Sequence, residues 1–212
     1  MEKVKRGLKI IFVLLVVAAL LLGGFLLFRT VKHAKQVDSY RSVVEKSAAK
    51  YGVKPYTNVI LGIMMTESKG RGTDLMQSSE SAYGDQGKIA TKAESIENGV
   101  KHFAETYQAA KKADCDLNTA VQAYNFGLQY IDYVAKHGGK NTVELAENYS
   151  RDVLSPVLGN KQKSQYRYMK LQSLFYNGGY LYKNGGNMFY ANVVKMNQQI
   201  VEAYHKVKNG GG

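Results

Sequence analysis

The chain has 212 residues, with 29 Lys and Arg against 17 Asp and Glu, a formal charge of +12 and a pI near 9.5. That length holds one ordinary domain plus an appendage, and that charge favours polyanionic partners. The one cysteine, Cys115, excludes an intrachain disulfide framework; it reads as an ordinary, partly buried small residue, and an exported domain of this sequence must rely on its core or on a bound ligand.

The appendage comes first. Lys3, Lys5, Arg6 and Lys9 precede the uncharged run Ile10–Phe28, IIFVLLVVAALLLGGFLLF. At ~1.5 Å per helical residue this run approaches the ~30 Å hydrocarbon core of a bilayer. A cleaved signal peptide shares the positive start, but its apolar region is usually ~7–15 residues and ends at small residues. Here the run is longer and ends in Phe28-Arg29-Thr30-Val31-Lys32, which reads as an uncleaved signal anchor. The four leading cations slightly outnumber Arg29, Lys32 and Lys35, so the N-terminus is expected inside and the body outside. The expected organisation is 1–9 as a cytoplasmic segment, 10–28 as the transmembrane anchor, 29–42 as a basic stalk, 43–206 as the folded domain and 207–212 as a flexible tail.

Within the body the apolar spacing is helical. Ile96, Val100, Phe103 and Tyr107 fall on one face, with Ser95 before them as an N-cap for a helix over 95–112. Similar readings place helices at 40–51, 57–68, 117–126, 128–137, 142–154, 163–176 and 188–206. The breaks lie at Gly52–Pro55, Gly70–Gly72, Gly138-Gly139, Ser155-Pro156 and Asn177–Asn187. Strand-like alternation is nearly absent, so the expected fold class is all-α, one globular helical domain after the spanning helix. The segment GGYLYKNGG lacks the Lys-Ser/Thr of a phosphate loop; it reads as a tyrosine-bearing loop or as the lining of a sugar cleft.

Glu67 ends the apolar stretch TNVILGIMMTE and is followed at once by Gly-rich chain. Against an apolar wall its ionised form would be poorly solvated and its pKa raised, as a proton donor near neutral pH requires. Taken alone, it reads as a solvent-facing glutamate at a helix end. Three segments then follow in order: Asp74-Leu75-Met76-Gln77-Ser78, Ala123-Tyr124-Asn125-Phe126-Gly127 and Phe189-Tyr190-Ala191-Asn192-Val193.

Together with Glu67-Ser68, this ordered set resembles the goose-type lysozymes and soluble lytic transglycosylases. Those proteins carry Glu-Ser at a helix end, Leu-Met-Gln, Ala-Tyr-Asn-x-Gly and a late tyrosine that helps to close the cleft. The short interval between Glu67 and Gln77, without the usual Gly turn, looks more like the CwlT-type lysozyme-like domain of Gram-positive bacteria and their conjugative elements. The resemblance covers residues 43–205. It implies a lysozyme-like domain on the cell-wall side of a Gram-positive membrane, cutting peptidoglycan glycan strands at the MurNAc-GlcNAc β-1,4 bond with Glu67 as acid. It further implies that Ser68, Met76, Gln77 and Ser78 face the cleft, that Tyr124 and Asn125 pack beside the acid, and that Tyr190 completes the wall. On the residues alone, Tyr124 reads as a core aromatic and Asn125 as a helix-terminal cap.

Most glycosidases place a second carboxylate ~5–9.5 Å from the acid. Asp74 can fold back toward Glu67 across a glycine-containing turn, whereas Asp85 in Tyr-Gly-Asp reads as a turn residue. If Asp74 meets the cleft, hydrolysis follows, as in a muramidase, and this is the favoured reading. If it points away, the resemblance implies a transglycosylase, in which Glu67 turns from acid to base toward the sugar's own 6-hydroxyl and leaves an anhydro end. His33, His102, His137 and His205 are dispersed and form no ligand pair, so neither metal nor cofactor is expected. Anionic wall polymers suit the charge; nucleic acid ranks lower because no recognition motif accompanies the scattered cations. The rival classes are a wall-binding scaffold that kept the fold without activity, and a basic membrane protein that binds nucleic acid or a partner.

Overall fold

The structure is a computed structural model that describes residues 2–78, 89 and 91–210. Helix α1 (Glu2–Asp38) runs unbroken from the apolar run through the basic segment after it. It is long and apolar enough to cross a membrane, and the rest of the chain buries none of its apolar window. The domain begins to pack earlier than the polarity of 29–42 implies, because His33, Ala34, Val37 and Asp38 are all buried. They form an i, i+1, i+4, i+5 stripe on one helical face, while Lys32, Lys35 and Gln36 on the other face stay exposed and mask the period.

Next come α2 (Arg41–Lys50), a 3-10 turn (Lys54–Tyr56) and α3 (Thr57–Glu67), which is buried from Val59 through Met65. Then follow α4 (Lys92–Lys112), α5 (Leu117–Phe126), α6 (Gln129–Ala135) and α7 (Val143–Tyr149). A π-helical turn (Ser150–Leu154) leads to the single turn α8 (Ser155–Val157). Strands β1 (Gln165–Arg167) and β2 (Tyr180–Tyr182) pair antiparallel, with Tyr166 opposite Leu181, on either side of α9 (Leu171–Asn177). The last element described is α10 (Tyr190–Gly210).

Three expectations are corrected. The helix expected over 163–176 is divided into β1 and α9, because Gly178 and Gly179, at φ 77° and 93°, turn the chain back so that the Tyr168 N–H can donate to the Gly179 carbonyl. Helical chain does not stop at Ser155-Pro156: the π-helical turn Ser150–Leu154 carries it on through Pro156 to Val157. Ser95 is not an N-cap. The cap of α4 is Thr91, whose side chain accepts from the Glu94 N–H, and Ser95 lies buried one turn inside.

Helix α3 is the centre of the main core, with α10 laid along it so closely that a Cβ on Gly62 would come within 2.9 Å of the Val194 carbonyl oxygen. A second core gathers Phe126, Tyr130 and Tyr149, whose ring centroids lie 5.0–5.5 Å apart. Helix α5 joins the two, placing Val121 and Tyr124 in the first core and Ala120, Ala123 and Phe126 in the second. The chain after α3 is held against α4 at Gly99, where an added Cβ would stand 2.4 Å from the Met76 Cβ. In an open helix, Gly→Ala would gain ~1 kcal/mol of propensity. Here overpacking, which costs ~1–3 kcal/mol, outweighs that gain, so Gly99→Ala should lower the thermal midpoint; a raised midpoint would show that this loop is not pinned by contact.

Candidate active site

Glu67 is the last residue of α3. The helix that carries it is apolar on all sides because it is core, so its final side chain emerges where core meets solvent. It borders a cleft of about 480 Å³ together with Met65 and Thr66 of α3, Asn125 at the end of α5, Tyr168 and Asn187, and Tyr190 at the start of α10. The Tyr190 hydroxyl donates to Glu67 Oε1 at 2.5 Å. Burial raises the Glu67 pKa above the ordinary 4.5, the Tyr190 bond pulls it down and the charge of Asp74 pushes it up, with a net rise. The C-terminal end of a helix carries partial negative charge and also disfavours a carboxylate.

Tyr190 is itself positioned. Its ring stacks parallel to that of Tyr124 at 6.3 Å, and Tyr124 in turn packs at 4.7 Å against the imidazole of His102. The Tyr124 hydroxyl donates to the Met76 carbonyl at 2.9 Å. Burial, then the nearby Glu67 carboxylate, raises the pKa of both tyrosines well above 10, which keeps them as neutral donors. Burial likewise lowers the His102 pKa below 6.5.

The expected cleft residues after Glu67 turn out to do different work. The Ser68 hydroxyl donates to the Leu75 carbonyl at 2.7 Å and accepts from the Gly70 N–H at 3.0 Å, tying the end of α3 to the following loop. Met76 is fully buried against Gly99, and Ser78, also fully buried, donates to the Ser95 carbonyl at 3.1 Å. These side chains face the core because the loop lies flat on α4, so the expectation that Met76 and Ser78 line the cleft is corrected, and Ser68 acts through the backbone. Gln77 is exposed at φ 48° and folds its amide back to the Asp74 carbonyl at 3.2 Å. Tyr124 stands behind Tyr190, not on the cleft surface.

Asp74 is half-buried; its Oδ1 accepts from the Ser95 hydroxyl at 2.7 Å and from the Ser78 N–H at 3.0 Å. It is within electrostatic reach of Glu67 but is not among the residues bordering the cleft. Asp85 lies outside the described residues. Asn125 is exposed on the cleft, and its Oδ1 accepts the Asn187 N–H at 2.8 Å. That backbone partner identifies the oxygen and leaves Nδ2 as the donor that Asn125 can offer.

Sequence reasoning missed Thr30 and His33 of α1, which also border the cleft, and Ser95, which organises the Asp74 loop by donating to Asp74 and accepting the Met76 N–H at 3.0 Å. Asn187, at the end of the Gly-rich segment, was accessible only as part of a candidate sugar-lining loop. The signal for Thr30 and His33 was the spacing of His33, Ala34, Val37 and Asp38. Among the described residues, no group of three His, Cys, Asp or Glu side chains is placed to hold a metal ion.

Comparison with known proteins places this arrangement. The lysozyme-like family model matches residues 34–198. A pneumococcal vaccine antigen A homolog of Streptococcus pyogenes is 44% identical over 170 residues, covering 80% of this chain and 85% of that one. The bifunctional muramidase/DL-endopeptidase CwlT of Bacillus subtilis is 44% identical over 129 residues, 61% of this chain and 38% of that protein. A crystal structure of a Staphylococcus aureus protein described as similar to a lipoprotein of the NLP/P60 family superposes with a TM-score of 0.70 at 35% identity, over 77% of this chain and 52% of that one.

The raised Glu67 pKa has a thermodynamic consequence. A carboxyl group whose pKa is higher folded than unfolded contributes stability that is full below the unfolded value, near 4.5, and is lost as pH rises through the folded value. Replacing it by a neutral isostere removes that loss. Glu67→Gln should therefore melt close to the parent at pH 4 and above it at pH 7; equal midpoints at both pH values would mean that the carboxyl is not desolvated.

Proposed function

Because the chain belongs to the lysozyme-like family, we propose that it is a membrane-anchored, extracytoplasmic glycosidase that hydrolyses the MurNAc-GlcNAc β-1,4 bond of peptidoglycan with Glu67 as general acid. The observation that carries this reading is the Glu67 carboxyl set at a cleft wall, where burial favours its protonated form and a tyrosine hydroxyl addresses one of its oxygens. The likeness to the Bacillus muramidase/DL-endopeptidase supports the choice of bond. The long apolar α1 supports the anchor.

Glu67 begins protonated. As it gives its proton to the glycosidic oxygen, the bond from that oxygen to the sugar's anomeric carbon breaks and positive charge develops on the sugar ring. The new carboxylate is met by the Tyr190 hydroxyl, whose hydrogen bond strengthens once its acceptor is charged. Asn125, with its oxygen held by Asn187, presents its amide N–H groups to the sugar. Water then adds to the anomeric carbon and gives up a proton to a carboxylate. The negative charge of Asp74 favours the developing cation and raises the proton affinity of Glu67. The basic surface suits the anionic polymers of a wall.

The transglycosylase reading stays beside this one on one observation: Asp74 Oδ1 is committed to Ser95 and Ser78, which leaves Glu67 as the acid at the cleft and as the base for the sugar's 6-hydroxyl.

Purified chain incubated with sacculi should release muropeptides, and Glu67→Gln should lower the rate by about 10²–10⁴-fold, the usual worth of a positioned general acid; equal release by the variant would refute the assignment. Tyr190→Phe removes the bond that lowers the Glu67 pKa, so the alkaline limb of its pH–rate profile should move to higher pH, with a smaller loss of rate. An unmoved limb would separate Tyr190 from the acid's titration.

A further inference from the structure

The direction of α10 places the cleft relative to the span. Thr30 and His33 of α1 border the cleft beside Asn197 and Ile200 of α10, and further along both helices Asp38 accepts from His205 Nδ1 at 2.9 Å and Lys208 Nζ at 3.3 Å. The two helices therefore run the same way, and the start of α10, with Tyr190 and Val193 on the cleft, points back toward the apolar run. Thr30 is two residues past Phe28, about 3 Å of helix rise. The polar layer of a bilayer is itself roughly 5–7 Å deep on each side, so the cleft edge formed by α1 begins at headgroup depth.

The same end of α10 carries β1 and α9. Tyr168 stacks on Phe189 at 6.5 Å, Tyr176 meets Phe189 edge-on at 5.6 Å, and Gln172 Nε2 reaches Met196 Sδ at 3.6 Å. Outward from these contacts project Met169, Leu171 and Phe175, with 62%, 67% and 88% of their surface exposed. A cluster of bare apolar side chains marks a contact surface. Lys161, Arg167 and Lys170 lie on the same stretch and make no ion pair among the described residues. Apolar side chains flanked by cations match the acyl boundary and anionic headgroups of a lipid leaflet.

We propose that the Met169–Leu171–Phe175 knuckle seats in the leaflet from which α1 emerges, so that the domain stands on the membrane at two places and its cleft takes glycan lying against the bilayer surface. The proposal rests on the reading of α1 as a spanning anchor, and it specifies the substrate as membrane-proximal strands. A continuous α1 and a lipid-seated knuckle, both bordering the cleft region, would together fix its height above the bilayer, where a flexible stalk would let it range through the wall.

The chain contains no tryptophan, so one introduced residue reports alone. Full-length Phe175→Trp, and Leu171→Trp should the first fail to fold, is reconstituted in phosphatidylcholine–phosphatidylglycerol vesicles. Val207→Trp serves as control, at a position 77% exposed near the far end of α10. The knuckle tryptophan should emit further to the blue than the control, be quenched at least twofold more by brominated acyl chains, and be shielded from iodide. Iodide quenching equal to the control would overturn the proposal. So would shielding that grows with the protein-to-lipid ratio, which would assign the surface to a second copy of the chain. Fluorescence needs no catalysis: lipid contact in a chain that releases no muropeptides would sink the glycosidase reading alone, and iodide exposure in an active chain would sink this one alone.

Discussion

The arrangement depends on one constraint: a carboxyl group is placed at the end of a helix that is otherwise core. Helix α3 is buried from Val59 through Met65, so Glu67, the last residue of that helix, is held at the edge of the apolar core. Water is withheld from its ionised form on one side, and the negative end of the helix lies under it on the other. The tyrosine opposite supplies one hydrogen bond, enough to orient the group without offsetting its desolvation. Proton affinity here is a by-product of how the core is built.

The surrounding structure holds that geometry at second hand. Ser95, inside α4, binds the Asp74 carboxylate and the Met76 backbone; Met76 holds the Tyr124 hydroxyl; Tyr124 backs the ring of Tyr190; and Tyr190 addresses Glu67. Gly99 and Gly62 are the two close approaches that let α4 and α10 come near enough. Asp38, joined to Arg41, His205 and Lys208, fastens the end of α1 to the far end of α10, so the helix that carries the apolar run also packs into the domain that holds the cleft.

Most helices were legible because their buried faces carry unmixed signals: α3 is almost wholly apolar and α4 repeats Ile96, Val100 and Phe103. The segment 163–176 misled because Tyr168 and Leu171 are spaced as on one helix face while Tyr166 and Tyr168 alternate as in a strand, and the deciding residues, Gly178 and Gly179, lie beyond its end. At the site, Glu67, Asn125 and Tyr190 could be named from the sequence. Met76 and Ser78 were read as cleft residues because the motif that contains them is contiguous, yet whether its side chains point to cleft or core depends on Gly99 and Ser95, some twenty residues away. His33 escaped because exposed charges on the opposite face of α1 hide its stripe. Sequence identifies which groups can do chemistry; which way they face is set by neighbours distant in the chain.

In the proposed reaction Glu67 protonates a glycosidic oxygen and water completes the cleavage. Its most direct test is digestion of purified sacculi by the full chain in water enriched in oxygen-18, with mass spectrometry of the released fragments. Hydrolysis should give reducing MurNAc ends that carry one heavy oxygen. Anhydro ends without label would contradict the hydrolytic step, and the absence of any fragment would contradict the activity itself.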